Sequence, residues 1–170
     1  MNLRDKIVVI VGGATGIGKA TVEICARAGA AVIVADLNEV EGHATASAVG
    51  GAFFPINVAD ESSVAAAFTD IAAQYGRLDA LIQTAGILRG AFVPLEEFDL
   101  ATFESVVDVN LIGSFLCAKH AVPLLKKAGR GRDCAGVVWR GDRWQLFVRL
   151  RRQQRGRERA GHHAGQQVSR

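Results

Sequence analysis

The chain has 170 residues, 49% of them apolar, enough for one ordinary domain with its own core and too apolar for a chain disordered throughout. There is no unbroken run of ~18 apolar residues, and the apolar stretch of MNLRDKIVVIVGG is too short for a span and lacks a signal-type cleavage site, so no membrane segment and a cytoplasmic location are expected. The net charge of +3 hides a split: residues 1–129 carry nine Lys/Arg and fourteen Asp/Glu, whereas residues 130–170 carry eleven and three, which sets a boundary near Gly129. Cys25, Cys117 and Cys134 form no CxxC pair, and neither they nor His43, His120, His162 and His163 show ligand spacing; reduced cysteines, two of them core filler, and no metal are expected.

In chain order, DKIVVIVGG is a continuous apolar run ending in glycines and reads as a fully buried parallel strand. ATGIGKATVEICARAGA follows as a helix; Ile17, Val22, Ile24 and Cys25, with Ala20 and Ala26, predict that it is buried, and Gly29 predicts its stop. AVIVAD is the second strand, NEVEGHATASAVG a polar helix, GAFFPINV the third strand, DESSVAAAFTDIAAQYG the third helix and RLDALIQTAG the fourth strand. A long helix then covers FDLATFESVVDVNLIGSFLCAKHAVPLLKKAG. Strands alternating with helices predict an α/β, Rossmann-like, doubly wound parallel sheet, incomplete at about four strands over residues 1–129. Residues 130–170 read as an irregular, basic, disordered tail.

The first strand meets the first helix at Gly12-Gly13-Ala14-Thr15-Gly16-Ile17-Gly18. A sharp turn that lets a ligand approach the backbone favours glycine, and the helix N-terminus behind it offers unpaired N–H groups and a positive dipole end to a pyrophosphate. A tight turn alone would also explain the glycines, but strand before, helix after and Asp36 at the end of the next strand favour a dinucleotide. A carboxylate there accepts hydrogen bonds from the adenosine ribose hydroxyls and repels a 2′-phosphate, so NAD is favoured over NADP. A helix N-cap or turn acid is the plainer alternative for Asp36.

These residues resemble the short-chain dehydrogenase/reductase family. Its Thr-Gly-x-x-x-Gly-x-Gly motif appears as Val11 to Gly18, with Val11 in place of the threonine and Gly12, Gly16 and Gly18 kept. Its Asp-Val beside the adenine appears as Asn57-Val58, and its Asn-Asn-Ala-Gly as Gln83-Thr84-Ala85-Gly86. Asn110 in VVDVNLIGSF matches the helix asparagine that supports the family's catalytic lysine through a water. The resemblance covers residues 5–129. It implies an NAD-dependent oxidoreductase interconverting a small alcohol and a carbonyl, and a parent protein that is a homo-oligomer. Its implied site is Asn110 with cofactor contacts from Gly12, Thr15, Gly16, Ile17, Gly18, Asp36, Leu37, Asn57, Val58, Ala85 and Gly86. The family's sheet continues beyond four strands, so an exposed fourth strand, an uncovered apolar helix and poor solubility are expected of this chain.

The family's chemistry then calls for a serine after a fifth strand and a Tyr-x-x-x-Lys helix, and neither is written here. The only tyrosine is Tyr75, no lysine follows Lys127, and the only serine after Ser114 is Ser169. Three readings of the tail compete. It is a nucleic-acid arm with Trp139 and Trp144 for stacking, a solvated tail, or the parent's second half in the wrong reading frame. The genetic code permits the third. Codons begun one nucleotide late allow Tyr-Ala-Ala-Ser-Lys-Gly-Ala-Val from Leu150 to Glu158, Ser-Ser from Val137 to Trp139 and Ile-Val from Asp133 to Ala135. The frameshift is the favoured reading and nucleic-acid binding the least favoured. The chain as written is expected to be catalytically dead or nearly so, with an NAD-binding pseudoenzyme or regulator as the alternative function.

Overall fold

The computed structural model describes residues 2–128. Four parallel strands, β1 (Ile7–Val11), β2 (Ala31–Asp36), β3 (Ala52–Pro55) and β4 (Ala80–Gln83), form one sheet in the order β3-β2-β1-β4. Helices α1 (Gly16–Arg27), α2 (Glu39–Ala48) and α3 (Glu61–Tyr75) connect them. After β4 come a single 3₁₀ turn and a long helix made of α4 (Leu100–Val107), a π-helical stretch (Asp108–Ile112) and α5 (Gly113–Lys127). This is the α/β, Rossmann-like architecture the sequence predicts. Residues 130–170, with the tail, Cys134 and the frameshift reading, lie outside the described residues.

The sheet is covered on both sides because its strands are apolar on both sides. Val8, Ile10, Val32 and Val34 pack under α1 and α2, with Val22, Cys25 and Ala46. Val9, Val11, Ile33 and Ala35 pack under α3 and α5, with Val64, Phe68, Ile71, Leu116 and Cys117. Cys25 and Cys117 are core filler, as expected, and burial pushes the Cys117 thiol up to about 12. α1 is not buried all round. Gly18, Val22 and Cys25 face the sheet, while Ile17 and Ile24 stand 66% and 53% exposed. Val22 and Cys25 lie three residues apart on one stripe, and Ile17 and Ile24 fall outside it, on the flank of the helix. Gly29 does end α1: at φ 92° its N–H bonds the Ala26 carbonyl.

By length and composition Leu100–Lys127 would suffice to cross a membrane, because it runs unbroken through the π-helical stretch with few charges. Ala121, Leu124 and Leu125 bury one face of it in the core, while Leu100, Phe103, Leu111, Ile112 and Phe115 are exposed. Among the described residues, β4 pairs only with β1.

Asp79 locks the opposite, N-terminal edge of the sheet. Its carboxylate accepts from the Ile7 N–H and from Lys6 Nζ, both at 3.0 Å, with Arg77 Nε at 3.6 Å. Burial works upward on this carboxyl, but the Ile7 N–H, Lys6 and Arg77 outweigh it and hold its pKa below the usual carboxylate value. A lowered folded-state pKa adds stability above the unfolded value of about 4, and that stability is lost as pH falls through the folded pKa. Asp79→Asn should therefore lower the urea-unfolding free energy by about 1–2 kcal/mol at neutral pH. The gap from wild type should narrow as pH falls below the unfolded value of about 4, measured as paired urea titrations.

Candidate functional site

The predicted site residues gather along the C-terminal edge of the sheet. β1 ends at Val11, and Gly12 turns the chain at φ 83°. A Cβ on Gly12 would fall on the backbone of Ala85, and one on Gly18 would fall on the Gly12 carbonyl oxygen, so both positions admit only glycine. Thr84 lies beneath. Its hydroxyl donates to the carbonyls of Val11 at 2.8 Å and Gly12 at 3.2 Å, and the N–H groups of Thr84 and Ala85 donate to the Val11 carbonyl. Thr84 departs from the family's asparagine, and in this fold its hydroxyl ties the end of β4 to the turn. Gln83, the other departure, is buried, and its carboxamide has no hydrogen-bond partner among the described residues.

The start of α1 differs from the starts of α2, α3 and α4. Asn38, Asp60 and Asp99 cap those helices through their side chains, whereas Thr15 at the head of α1 makes no such bond. No acid lies in the first turn of α1. Its leading N–H groups are free of side-chain competition and suit an anion. Gly16 opens this turn at φ 55°, with nothing near the place of a Cβ, and Ile17 is exposed beside it.

Asp36 stands at the end of β2 against the same turn. Oδ2 accepts from the Ala14 N–H at 2.9 Å and Oδ1 from the Asn38 N–H at 3.0 Å. Each oxygen keeps further acceptor capacity. Leu37 beside it is 71% exposed. Asn57 is held within its own turn: its side-chain oxygen accepts from the Ala59 N–H and its own N–H donates to Ser63 Oγ. Val58 is buried against Gly113. Leu37 and Asn57 meet in a groove of about 340 Å³ between β3 and α3, lined also by Phe54, Ser63 and Asp70.

Asn110 lies in the π-helical stretch, where the helix ladder widens; such turns are frequent at functional sites. Its side chain clamps Ile87 twice: Nδ2 donates to the Ile87 carbonyl at 2.9 Å and Oδ1 accepts the Ile87 N–H at 2.8 Å. Its backbone carbonyl accepts from Ser114 Oγ at 2.6 Å. Gly86 packs on the Asn110 carboxamide. Gly12–Gly18, Asp36, Ala85, Gly86 and Asn110 thus form one continuous strip, and Asn57 follows Ile56, whose N–H bonds the Asp36 carbonyl.

A parallel sheet with a glycine turn, an uncapped helix and an acid at its carboxyl edge defines a Rossmann-like α/β protein. The family model for short chain dehydrogenases matches residues 6–132. The chain belongs to that family. It is 38% identical over 145 residues to 2,5-dichloro-2,5-cyclohexadiene-1,4-diol dehydrogenase of Sphingobium indicum, covering 81% of this chain and 58% of that protein. It superposes on a short chain dehydrogenase from Shigella flexneri with TM-score 0.70 and 27% identity, over 74% of this chain and 52% of that one. It superposes likewise on Pseudomonas aeruginosa RhlG, solved as an NADP complex, with TM-score 0.71 and 25% identity, over 75% and 50%. The chain spans about half the length of the relatives it matches.

Replacing Asn110 by alanine removes both bonds to Ile87 and leaves two partly buried backbone groups unpaired. The variant should be destabilised by about 1–3 kcal/mol in urea titration. Ser105→Ala, at a half-buried position, removes one local bond to the Thr102 carbonyl and should change stability less by the same measurement.

Proposed function

We propose that this chain carries the cofactor-binding half of an NAD-dependent oxidoreductase that interconverts a small alcohol and a carbonyl. The observation that supports this best is the uncapped, acid-free start of α1 behind the glycine turn, with the Asp36 carboxylate beside it. Gly12, Thr15, Gly16, Ile17 and Gly18 would hold the pyrophosphate, and Asp36 and Leu37 the adenosine ribose. Val58 and Asn57 would border the adenine. Ala85 and Gly86 would let the cofactor lie against the backbone, and Asn110 would fix the segment at Ile87. The bound nicotinamide supplies or accepts the hydride. Asp36 favours NAD, since it repels a 2′-phosphate.

The proton-transfer residues of the family would come from the second half of the parent protein, a homo-oligomer, read in the shifted frame of residues 130–170. Determining the DNA sequence of that stretch and about a hundred codons beyond tests this directly. Codons that spell Tyr-Ala-Ala-Ser-Lys one nucleotide late, with an open frame after them, support it. Codons that forbid tyrosine and lysine there overturn it.

The purified chain should quench or shift NADH fluorescence on titration and bind NADPH more weakly. Asp36→Ala should narrow that difference by about tenfold, the order of one charge-assisted hydrogen bond. Turnover of alcohols or ketones should be absent. Ordinary dehydrogenase turnover by the pure chain would overturn the expected inactivity, and failure to bind NADH would overturn the cofactor site. Binding without turnover is also what an NAD-binding regulator would show; an open downstream frame distinguishes the parent enzyme from it. A steeply salt-dependent shift of DNA would instead point to the basic tail.

A further inference from the structure

The turn between β1 and α1 is held from a side that no motif marks. Ala14, at its centre, is 1% exposed, and both of its backbone polar groups are bound by side chains. Its N–H donates to Asp36 Oδ2, and its carbonyl accepts from Thr45 Oγ1, each at 2.9 Å. Thr45 sits in the middle of α2 and is 2% exposed. The Phe53 ring fills the space a side chain on Gly42 would take, which seats α2 close on β3.

A threonine inside a helix has a local outlet, the carbonyl four residues back. Thr21 in α1 and Thr69 in α3 use it, on Ile17 and Ala65, and neither is buried. Thr45 instead reaches 31 residues back along the chain. A buried β-branched residue with a hydroxyl is a poorer choice for a helix than the alanines around it. Such local costs concentrate where a structure needs a contact elsewhere.

We propose that Thr45 is a positioning residue of the nucleotide turn: its hydroxyl on the Ala14 carbonyl presets the turn, and the Asp36 contact to Ala14, before nucleotide binds. This rests on the cofactor reading given under Proposed function. Asp36 must serve the turn and the ribose together, and Thr45 holds Ala14 where one carboxylate reaches both.

The test is NADH titration of the full chain, wild type against Thr45→Val and Thr45→Ser, with unfolding by urea in parallel. Ile71→Val, in the core on the opposite face of the sheet, serves as a stability control. Thr45→Val should raise the Kd for NADH about fivefold, the equivalent of about 1 kcal/mol for one neutral hydrogen bond. It should also narrow the preference for NADH over NADPH. Thr45→Ser should stay within about twofold of wild type, and Ile71→Val should lose stability with its Kd unchanged.

A Thr45→Val chain that is destabilised but binds like wild type overturns the proposal, as does a Thr45→Ser chain as weak as Thr45→Val. A wild-type chain that does not bind NADH overturns the cofactor reading and this inference with it. Should Thr45→Val fail to fold, amide exchange of the nucleotide-free wild type decides: protection of the Ala14 N–H at the level of the β2 amides is expected, and free exchange there overturns the proposal.

Discussion

The arrangement depends on one close crossing. The end of β1, the end of β4 and the start of α1 share a space in which no side chain fits. Gly12 lies against the backbone of Ala85, and Gly18 lies against the carbonyl of Gly12. The Val11 carbonyl takes the N–H groups of both Thr84 and Ala85, and the Gly12 N–H bonds the Ala35 carbonyl at 2.7 Å. Three elements are thereby fixed to one another before any ligand contact is considered. The direction of α1 follows, and with it the exposure of its uncapped N-terminus at the carboxyl edge of the sheet.

The two edges of the sheet treat charge differently. At the N-terminal edge, Asp79 is satisfied by Lys6, Arg77 and a backbone N–H, which closes that edge. At the carboxyl edge, Asp36 binds only backbone N–H groups, and no cation pairs with it among the described residues. An ion-paired acid has little left to offer a ligand. An acid held by N–H groups is fixed in direction and keeps acceptor capacity on both oxygens. The first arrangement stabilises, whereas the second prepares a surface.

How much of this the sequence discloses depends on the range of the interaction. β1 and β2 are legible because burial on both faces leaves continuous apolar runs. The glycine turn is legible because positive φ and close approach leave glycine as the only residue that fits. α1 is less so: Ile17 and Ile24 look like core, yet only the stripe through Val22 and Cys25 meets the sheet. Asn57 stands where the family has aspartate, and the sequence does not reveal that its side-chain oxygen also accepts from its own turn at Ala59. Thr84 reads as a defect in a motif until the fold shows its hydroxyl between two carbonyls of β1's end. Thr45 gives almost no signal, since its partner is 31 residues distant. The π-helical stretch around Asn110 is likewise invisible in a pattern of three and four spacings.

Under the proposed function, these residues would organise the binding side of a reaction and not its proton-transfer side. Every site residue that the motifs assign to cofactor contact lies before residue 87, and Asn110 braces the segment at Ile87 from the long helix. The outer edge of β4 and the exposed apolar side of that helix border the same strip. Among the described residues that edge has no further strand partner, and an open strand edge beside exposed leucines and phenylalanines favours a further strand and helix over water. The frameshift reading would supply both, an Ile-Val strand and then a Tyr-Ala-Ala-Ser-Lys helix, in the order in which the sheet would grow past β4. The arginines of the tail need no ligand under that reading, because they are the product of a frame and not of a fold.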